Sequence, residues 1–339
     1  MKICFHVNNS KISHKIPTVV GKTTEWIRLE YKRISEDGSE AMSVSQGKIN
    51  KYLGMTMDHT VSGISRISIL EYIDNILTAF DKMDPSNSST KSSVATENLF
   101  KVDKVCEKLS PDKAKVFHNL VDKTIYTIKR GRLDTHKSVA FLTISVREPD
   151  TYDWKKLAHL IKYLIKTRNI PLIMGASGTG ILKRWIYALF TVHLNMRGNT
   201  GGGLSMGRGF PVVTYKNQNL NTQSSTEAYI AGLYYCIPAV CWTRYFLEAH
   251  DYNVTENIVY QDNQSAILLE KNINASGSNR TNHKNLGLFF VANRINKKEV
   301  TVEWCPTNGT TGDFMTKPLQ GNLFRKFRDL IMGVISTSK

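Results

Sequence analysis

The spacing of apolar residues along the chain changes period several times, and each change marks a predicted element. The first run, KICFHV, alternates as a β-strand does and stops at the turn-forming pair Asn8-Asn9. A helical stretch over residues 23–34 follows, then a turn at EDGSE. A second β region, INKYLGMTMDHTVSGISRISIL, has Ser62-Gly63 at a hairpin turn. Residues 76–170 read as mainly helical. Their Ser-rich segment over residues 85–96 reads as a surface linker. One helix over residues 114–129 ends in the basic cluster KRGR. Another, over residues 154–166, sets Trp154, Leu157, Leu160, Ile161, Leu164 and Ile165 on one face and Lys155, Lys156, Lys162 and Lys166 on the other.

From residue 171 the pattern is that of a second α/β unit. It predicts a strand over residues 181–190, a Gly-rich turn over 198–203 and two further strands within 204–216. A helix starting at Ser224 is marked by a capping box with Glu227, and Pro238 is expected to kink or split it. A strand over 257–261, a short helix from Asn263, a helix over 284–295, a strand over 300–305 and a C-terminal helix complete the unit. Three antiparallel strands, a helix, a strand, more helices and a last strand make a mixed sheet covered by helices. The fold class is therefore α/β of the α+β kind.

Composition adds a partner class. The chain has 339 residues, 41% of them hydrophobic and 22% charged, which suffices for real cores. A net charge of +16 favours a polyanion such as nucleic acid over a neutral partner. The lysine face over residues 155–166 reads either as a solvated face or as a surface that tracks phosphates. Five cysteines, an odd number without CxxC spacing, indicate neither a disulfide framework nor a zinc site. The longest apolar stretch, residues 229–242, contains Pro238 and falls short of the ~20 residues that span a bilayer. With no signal peptide either, the expected location is intracellular, cytoplasmic or nuclear, with no membrane contact.

Two candidate sites stand out. GASGTG, residues 175–180, lacks a following Lys-Ser/Thr and precedes a strand, so it reads as a turn and not as a phosphate loop. The carboxylates Glu227, Asp262 and Asp313 lie at a helix start, a strand end and the approach to the last helix. Each alone is explained by a cap or a turn. Together they suit Mg²⁺-dependent phosphodiester cleavage, in which carboxylates converge on cations ~3.5–4 Å apart.

At these residues the chain resembles the pol polyprotein of copia-type LTR retrotransposons. SSTEAY, QDNQSAILLEKN, SNRTNHKNLGLFFVANRI and GDFMTKPLQG resemble that family's RNase H domain in order and spacing. IKRGRLDTHKSVAFL and DWKKLAHLIKYLIKTR resemble its helical region between polymerase and RNase H. KYLGM and HVNNSKISH resemble strands of its reverse-transcriptase palm. The resemblance implies a palm remnant over residues 1–75, a helical thumb/connection region over 76–170 and an RNase H-like domain with a five-stranded mixed sheet over 171–339. Because the sequence starts at the palm hairpin, the fingers and earlier palm are expected to be missing.

Departures from the family pattern decide the expected activity. The hairpin aspartates that hold the polymerase cations are replaced by Asn8 and Asn9, neutral amides with one carbonyl oxygen each, so no polymerase activity is expected. The family's RNase H set is Asp, Glu, Asp, Asp. Glu227, Asp262 and Asp313 match the last three, and Tyr187 occupies the first. His283 matches a position near the family's active site, where it assists proton transfer or product release, or simply starts a helix. The expected function is a degenerate fragment with RNase H chemistry lost or strongly impaired. The alternatives are a non-catalytic binder of RNA–DNA hybrid or duplex through Lys129, Arg130, Arg132, Lys155, Lys162 and Lys166, and a weak Mg²⁺- or Mn²⁺-dependent RNase H using three carboxylates.

Overall fold

The structure is a computed structural model that describes residues 1–7, 9–14, 16–34, 43–83, 89–103, 105–190, 198–219, 221–272, 282–306 and 311–335. The side chains of 33–34, 271–272, 282–288 and 313 lie outside the description. β1 (Lys2–His6) and β2 (Asn9–Ser13) form an antiparallel hairpin with His6 opposite Asn9. The turn therefore begins at Val7, one residue earlier than the Asn pair suggested, with a left-handed φ of 49°. α1 (Pro17–Ile34) starts earlier than expected because proline opens a helix without losing a needed donor.

β3 (Ile49–Tyr52), β4 (Met55–Asp58) and β5 (Ile64–Ser68) form an antiparallel meander. Leu53 and Gly54 make the first turn, both at positive φ as tight two-residue hairpins require. Then come α2 (Leu70–Asp81), α3 (Pro111–Arg130), α4 (His136–Leu142) and α5 (Thr151–Thr167). β6 (Leu172–Ala176) returns to pair with β5, so the meander is extended by a strand from beyond the helices. The segment expected as a surface linker is instead held in place where it is described. Ser93, Val94 and Ala95 are buried, and the Ser93 hydroxyl donates to Gln320 Oε1 at 2.7 Å.

β7 (Ile181–Leu189), β8 (Asn199–Ser205), β9 (Gly207–Arg208) and β10 (Val212–Asn217) follow. β9 adds to the edge of β6. Residues 175–180 join β6 to β7 as the expected turn, with Gly178 and Gly180 at positive φ. The Gly-rich stretch is a strand and not a turn. A Cβ on Gly203 would lie 2.4 Å from the Phe210 ring, and one on Gly201 2.7 Å from Met315 Cβ, so a bare backbone is what lets these neighbours pack on β8.

α6 (Ser225–Glu248) runs unbroken through Pro238, so of the expected kink or split the split does not occur. β11 (Glu256–Gln261), α7 (Gln264–Asn272), α8 (Asn282–Asn296), β12 (Thr301–Trp304), α9 (Gly312–Thr316) and α10 (Gly321–Ile331) complete the chain. The second large sheet has the order β10-β8-β7-β11-β12. β7, β8 and β10 are antiparallel, and β11 is parallel to both β7 and β12. This is the mixed five-stranded sheet expected from sequence. One face packs Ile186, Val259 and Val302 against Leu233, Ile237 and Val240 of α6 and Val291 of α8. The other face belongs to a core that runs through α2, α3 and α5 to Phe314, Phe324 and Phe327.

Candidate active site

The end of the mixed sheet brings the candidate residues together. The parallel register pairs Tyr260 of β11 with Trp185 of β7. Asp262 follows the last residue of β11, and Tyr187 lies two residues past Trp185 on β7, so both belong to the same end of the sheet. Tyr187 is among the largest fully buried side chains. Its ring meets that of Tyr229 edge to face, with centroids 6.3 Å apart and planes at 70°. On the other side it lies against the start of α9, where a Cβ on Gly312 would sit 1.7 Å from Tyr187 Cδ2.

Glu227 lies in the first turn of α6. Ser224 caps the helix by accepting the Glu227 N–H at 3.2 Å, and the Glu227 carboxylate accepts the Gln223 N–H at 2.8 Å. The sequence-level capping box is thus present in shifted form, with the carboxylate reaching one residue further back. Burial first, and then the nearby Asp262 carboxylate, push the Tyr229 phenol far above the usual range. The next residue, Asn263, caps α7 by accepting the Ala266 N–H at 2.9 Å.

Asp313 is the second residue of α9, directly after the glycine that touches Tyr187; its side chain lies outside the described residues. His283 is the second residue of α8, and its side chain also lies outside them. Asn8 is outside the description, and Asn9 opens β2 as an exposed residue. The far end of α9 is held by Lys137 of α4, whose ammonium donates to Phe314 O at 3.0 Å and to Lys317 O. Cations suit helix C-termini because the last carbonyls lack partners.

Of the expected basic surface, Lys129, Lys155 and Lys166 are exposed, and Arg130 and Lys162 are half-buried. Arg132 is a correction. It is wholly buried, binds Asp134 through Nε at 2.9 Å and Nη2 at 2.8 Å, and reaches Thr167 Oγ1 at 2.7 Å. Tyr163 donates to the same carboxylate. Burial opposes both charges, but the Arg132–Asp134 attraction prevails and holds Asp134 below the usual carboxylate range. Arg132 therefore braces α3 against α5 and has no surface to offer a phosphate. Lys156 also leaves the solvated face. It is buried, with its ammonium on Lys101 O at 2.7 Å and near Asp153.

Tyr229, Gly312 and Lys137 were not singled out from sequence. Tyr229 reads there as one more apolar position at a helix start. The described donor set does not fit a two-cation centre. Position 187 supplies a neutral phenol. Among the described residues no group of three or more His, Cys, Asp or Glu could hold a metal.

The sequence matches no family model. It is 25% identical over 266 residues to the retrovirus-related Pol polyprotein from transposon TNT 1-94 of Nicotiana tabacum, over 77% of this chain and 20% of that polyprotein. The chain thus spans a fifth of the length of this relative. Among solved structures it is similar to a foamy viral protease-reverse transcriptase in complex with double-stranded DNA, with a TM-score of 0.46 and 11% identity over 90% of this chain and 46% of that one. A foamy viral protease-reverse transcriptase in complex with an RNA/DNA hybrid gives 0.43 and 10% over 90% and 36%. RNase H1 from the halophilic archaeon Halobacterium salinarum NRC-1 gives 0.25 and 15% over 38% and 86%. By sequence, then, the chain is similar to a segment of a retrotransposon Pol polyprotein.

Proposed function

We propose that this chain, similar as it is to a segment of a retrotransposon Pol polyprotein, is a reverse transcriptase/RNase H-derived protein that binds nucleic-acid duplex or RNA–DNA hybrid and lacks efficient catalysis. The observation that carries the reading is the buried Tyr187 between Tyr229 and Gly312, at the end of the sheet where β11 runs into Asp262. Hydrolysis assisted by two cations needs an anionic oxygen at such a position, and a buried phenol stays neutral at pH 7. Loss of a comparable electrostatic group costs ~10²–10³ in rate, and a bridging ligand is expected to cost more. At the β1–β2 hairpin, Asn9 and the neighbouring Asn8 give amides in place of carboxylates, which supports the absence of polymerase activity.

Binding rests on charge. The net +16 and the cations Lys155, Lys162 and Lys166 of α5, with Lys129 and Arg130 at the end of α3, suit a phosphate backbone. The proposed division is a palm remnant over residues 1–75, a thumb/connection region over 76–170 and an RNase H-like domain over 171–339, with β6 shared across the last boundary. Among the described residues no helix is long and apolar enough to cross a membrane.

The test is to offer labelled RNA–DNA hybrid to the purified chain with Mg²⁺ or Mn²⁺ and to follow both binding and cleavage. Salt-sensitive binding without cleavage is expected. Cleavage that disappears in Glu227→Gln, or no binding at low salt, contradicts the reading.

A further inference from the structure

The stretch GASGTG, read from sequence as a turn, begins on a glycine that shapes a cavity. Gly175 of β6 is paired with Ile64 of β5 on one side and with Arg208 of β9 on the other. A Cβ at position 175 would lie 2.8 Å from Ile64 Cδ1 and 3.6 Å from Arg208 Cβ. All three residues line a cavity of about 420 Å³, a volume in the range of small-molecule sites. We propose that this cavity binds a compact aromatic monoanion, such as an aryl carboxylate or sulfonate, with its ring against two methionines and its charge on Arg208. The proposal stands apart from the proposed function, because none of the cations assigned there to nucleic acid lines the cavity.

The lining selects the ligand. Met174 and Met206 both belong to it, and thioethers make favourable contacts with aromatic rings. Arg208 is already fixed: its Nε donates to Gly333 O at 2.6 Å and its Nη2 to Val334 O at 3.3 Å. Its Nη1 has no hydrogen-bond partner among the described residues, so an anchored guanidinium keeps a donor for an anion. Little side-chain entropy is then lost on binding. Among the described lining residues none is acidic, and His59 is the other titratable group. Burial, and then the nearby Lys11, lower its imidazole. At neutral pH the lining therefore carries the single positive charge of Arg208, which one negative charge balances. The remaining wall is largely apolar, with Val61, Ile64 and Pro211, and suits a ring better than a hydrated inorganic ion.

The experiment is titration of the full-length chain, carrying ¹³C-labelled methionine methyls, with 2-naphthoate and with its neutral isostere 2-naphthamide. Two-dimensional NMR reads the methyl resonances, and Met174→Leu and Met206→Leu assign the two of interest. Saturable ring-current shifts at Met174 and Met206 are expected with naphthoate, with a Kd of about 1 mM or tighter for a ligand of this size. The amide should bind about tenfold weaker, the worth of a hydrogen bond to a charged group. Arg208→Gln should lower the affinity for naphthoate to that for the amide. Gly175→Ala, which drives Ile64 toward the cavity, should weaken both ligands alike.

Naphthoate that shifts neither methionine overturns the proposal, as does equal affinity for the acid and the amide. So does a folded Arg208→Gln chain that binds naphthoate as tightly as the unchanged one. Arg208 also holds the turn at Gly333 and Val334, so its replacement carries a risk to folding. Should that variant fail to fold, the comparison of naphthoate with naphthamide on the unchanged chain decides the matter alone. Binding or cleavage of nucleic acid is a separate readout, and its outcome leaves this one standing.

Discussion

Tyr187 and Gly312 are in such close contact that a methyl group on the glycine would overlap the aromatic ring, 1.7 Å from Cδ2. The start of α9 is laid directly on the residue that replaces an acid at the strand end. Gly312→Ala should therefore destabilise the chain by about 1–3 kcal/mol through overpacking. In a Tyr187→Asp background most of that penalty should vanish, because the ring is gone. Urea midpoints of the two single variants and the double variant check this, and additive effects would show that the two residues do not share one space.

The Arg132–Asp134 pair is a stability element and not a nucleic-acid contact. Asp134→Ala should cost about 3–5 kcal/mol, since it leaves a buried guanidinium without its partner. Tyr163→Phe should cost about 1–3 kcal/mol, the range for a hydrogen bond to a charged group. Chemical denaturation of each variant gives the comparison. A loss under 1 kcal/mol for Asp134→Ala would mean the pair is not buried as described.

His136 ties stability to pH. Burial, and then the nearby Lys129, lower its imidazole to about 4. The folded chain therefore keeps this ring neutral after the unfolded chain has protonated it near pH 6.5. Its contribution is fully present above pH 6.5 and is lost as pH falls toward 4, by at most about 3 kcal/mol. Urea midpoints at pH 7 and pH 5 should differ more for the unchanged chain than for His136→Gln. Equal differences would place the ring in solvent.

The succession of elements was legible because the hydrophobic period changes at each one, and because Ser224 with Glu227 marks a helix start that local chemistry fixes. Gly201 and Gly203 were misread because glycine has low β propensity. Their strand is dictated by Phe210 and Met315, which need bare backbone. Arg132 read as part of a basic run because Thr167 and Tyr163, on α5, close around it and Asp134 only when that helix packs against the end of α3. Tyr229 was hidden for the same reason: its contact with Tyr187 forms only when α6 packs on the sheet. Local signals survive in sequence, whereas pairings made by packing do not.

The basic surface predicts a salt signature. Replacing Lys155, Lys162 and Lys166 together by Ala should weaken binding to hybrid or DNA duplex irrespective of sequence. It should also reduce the slope of log K against log salt by about 2–3. Fluorescence anisotropy over a salt series measures both quantities. An unchanged slope would move the nucleic-acid surface away from α5.

The central claim is that the sheet end no longer supports hydrolysis and that Tyr187, in place of an acid, is the reason. The most direct measurement is single-turnover cleavage of an RNA–DNA hybrid with Mn²⁺ by the unchanged chain and by Tyr187→Asp. The account predicts no cleavage by the first and cleavage by the second that Glu227→Gln abolishes. Cleavage by the unchanged chain that requires Glu227 and Asp262 would contradict it.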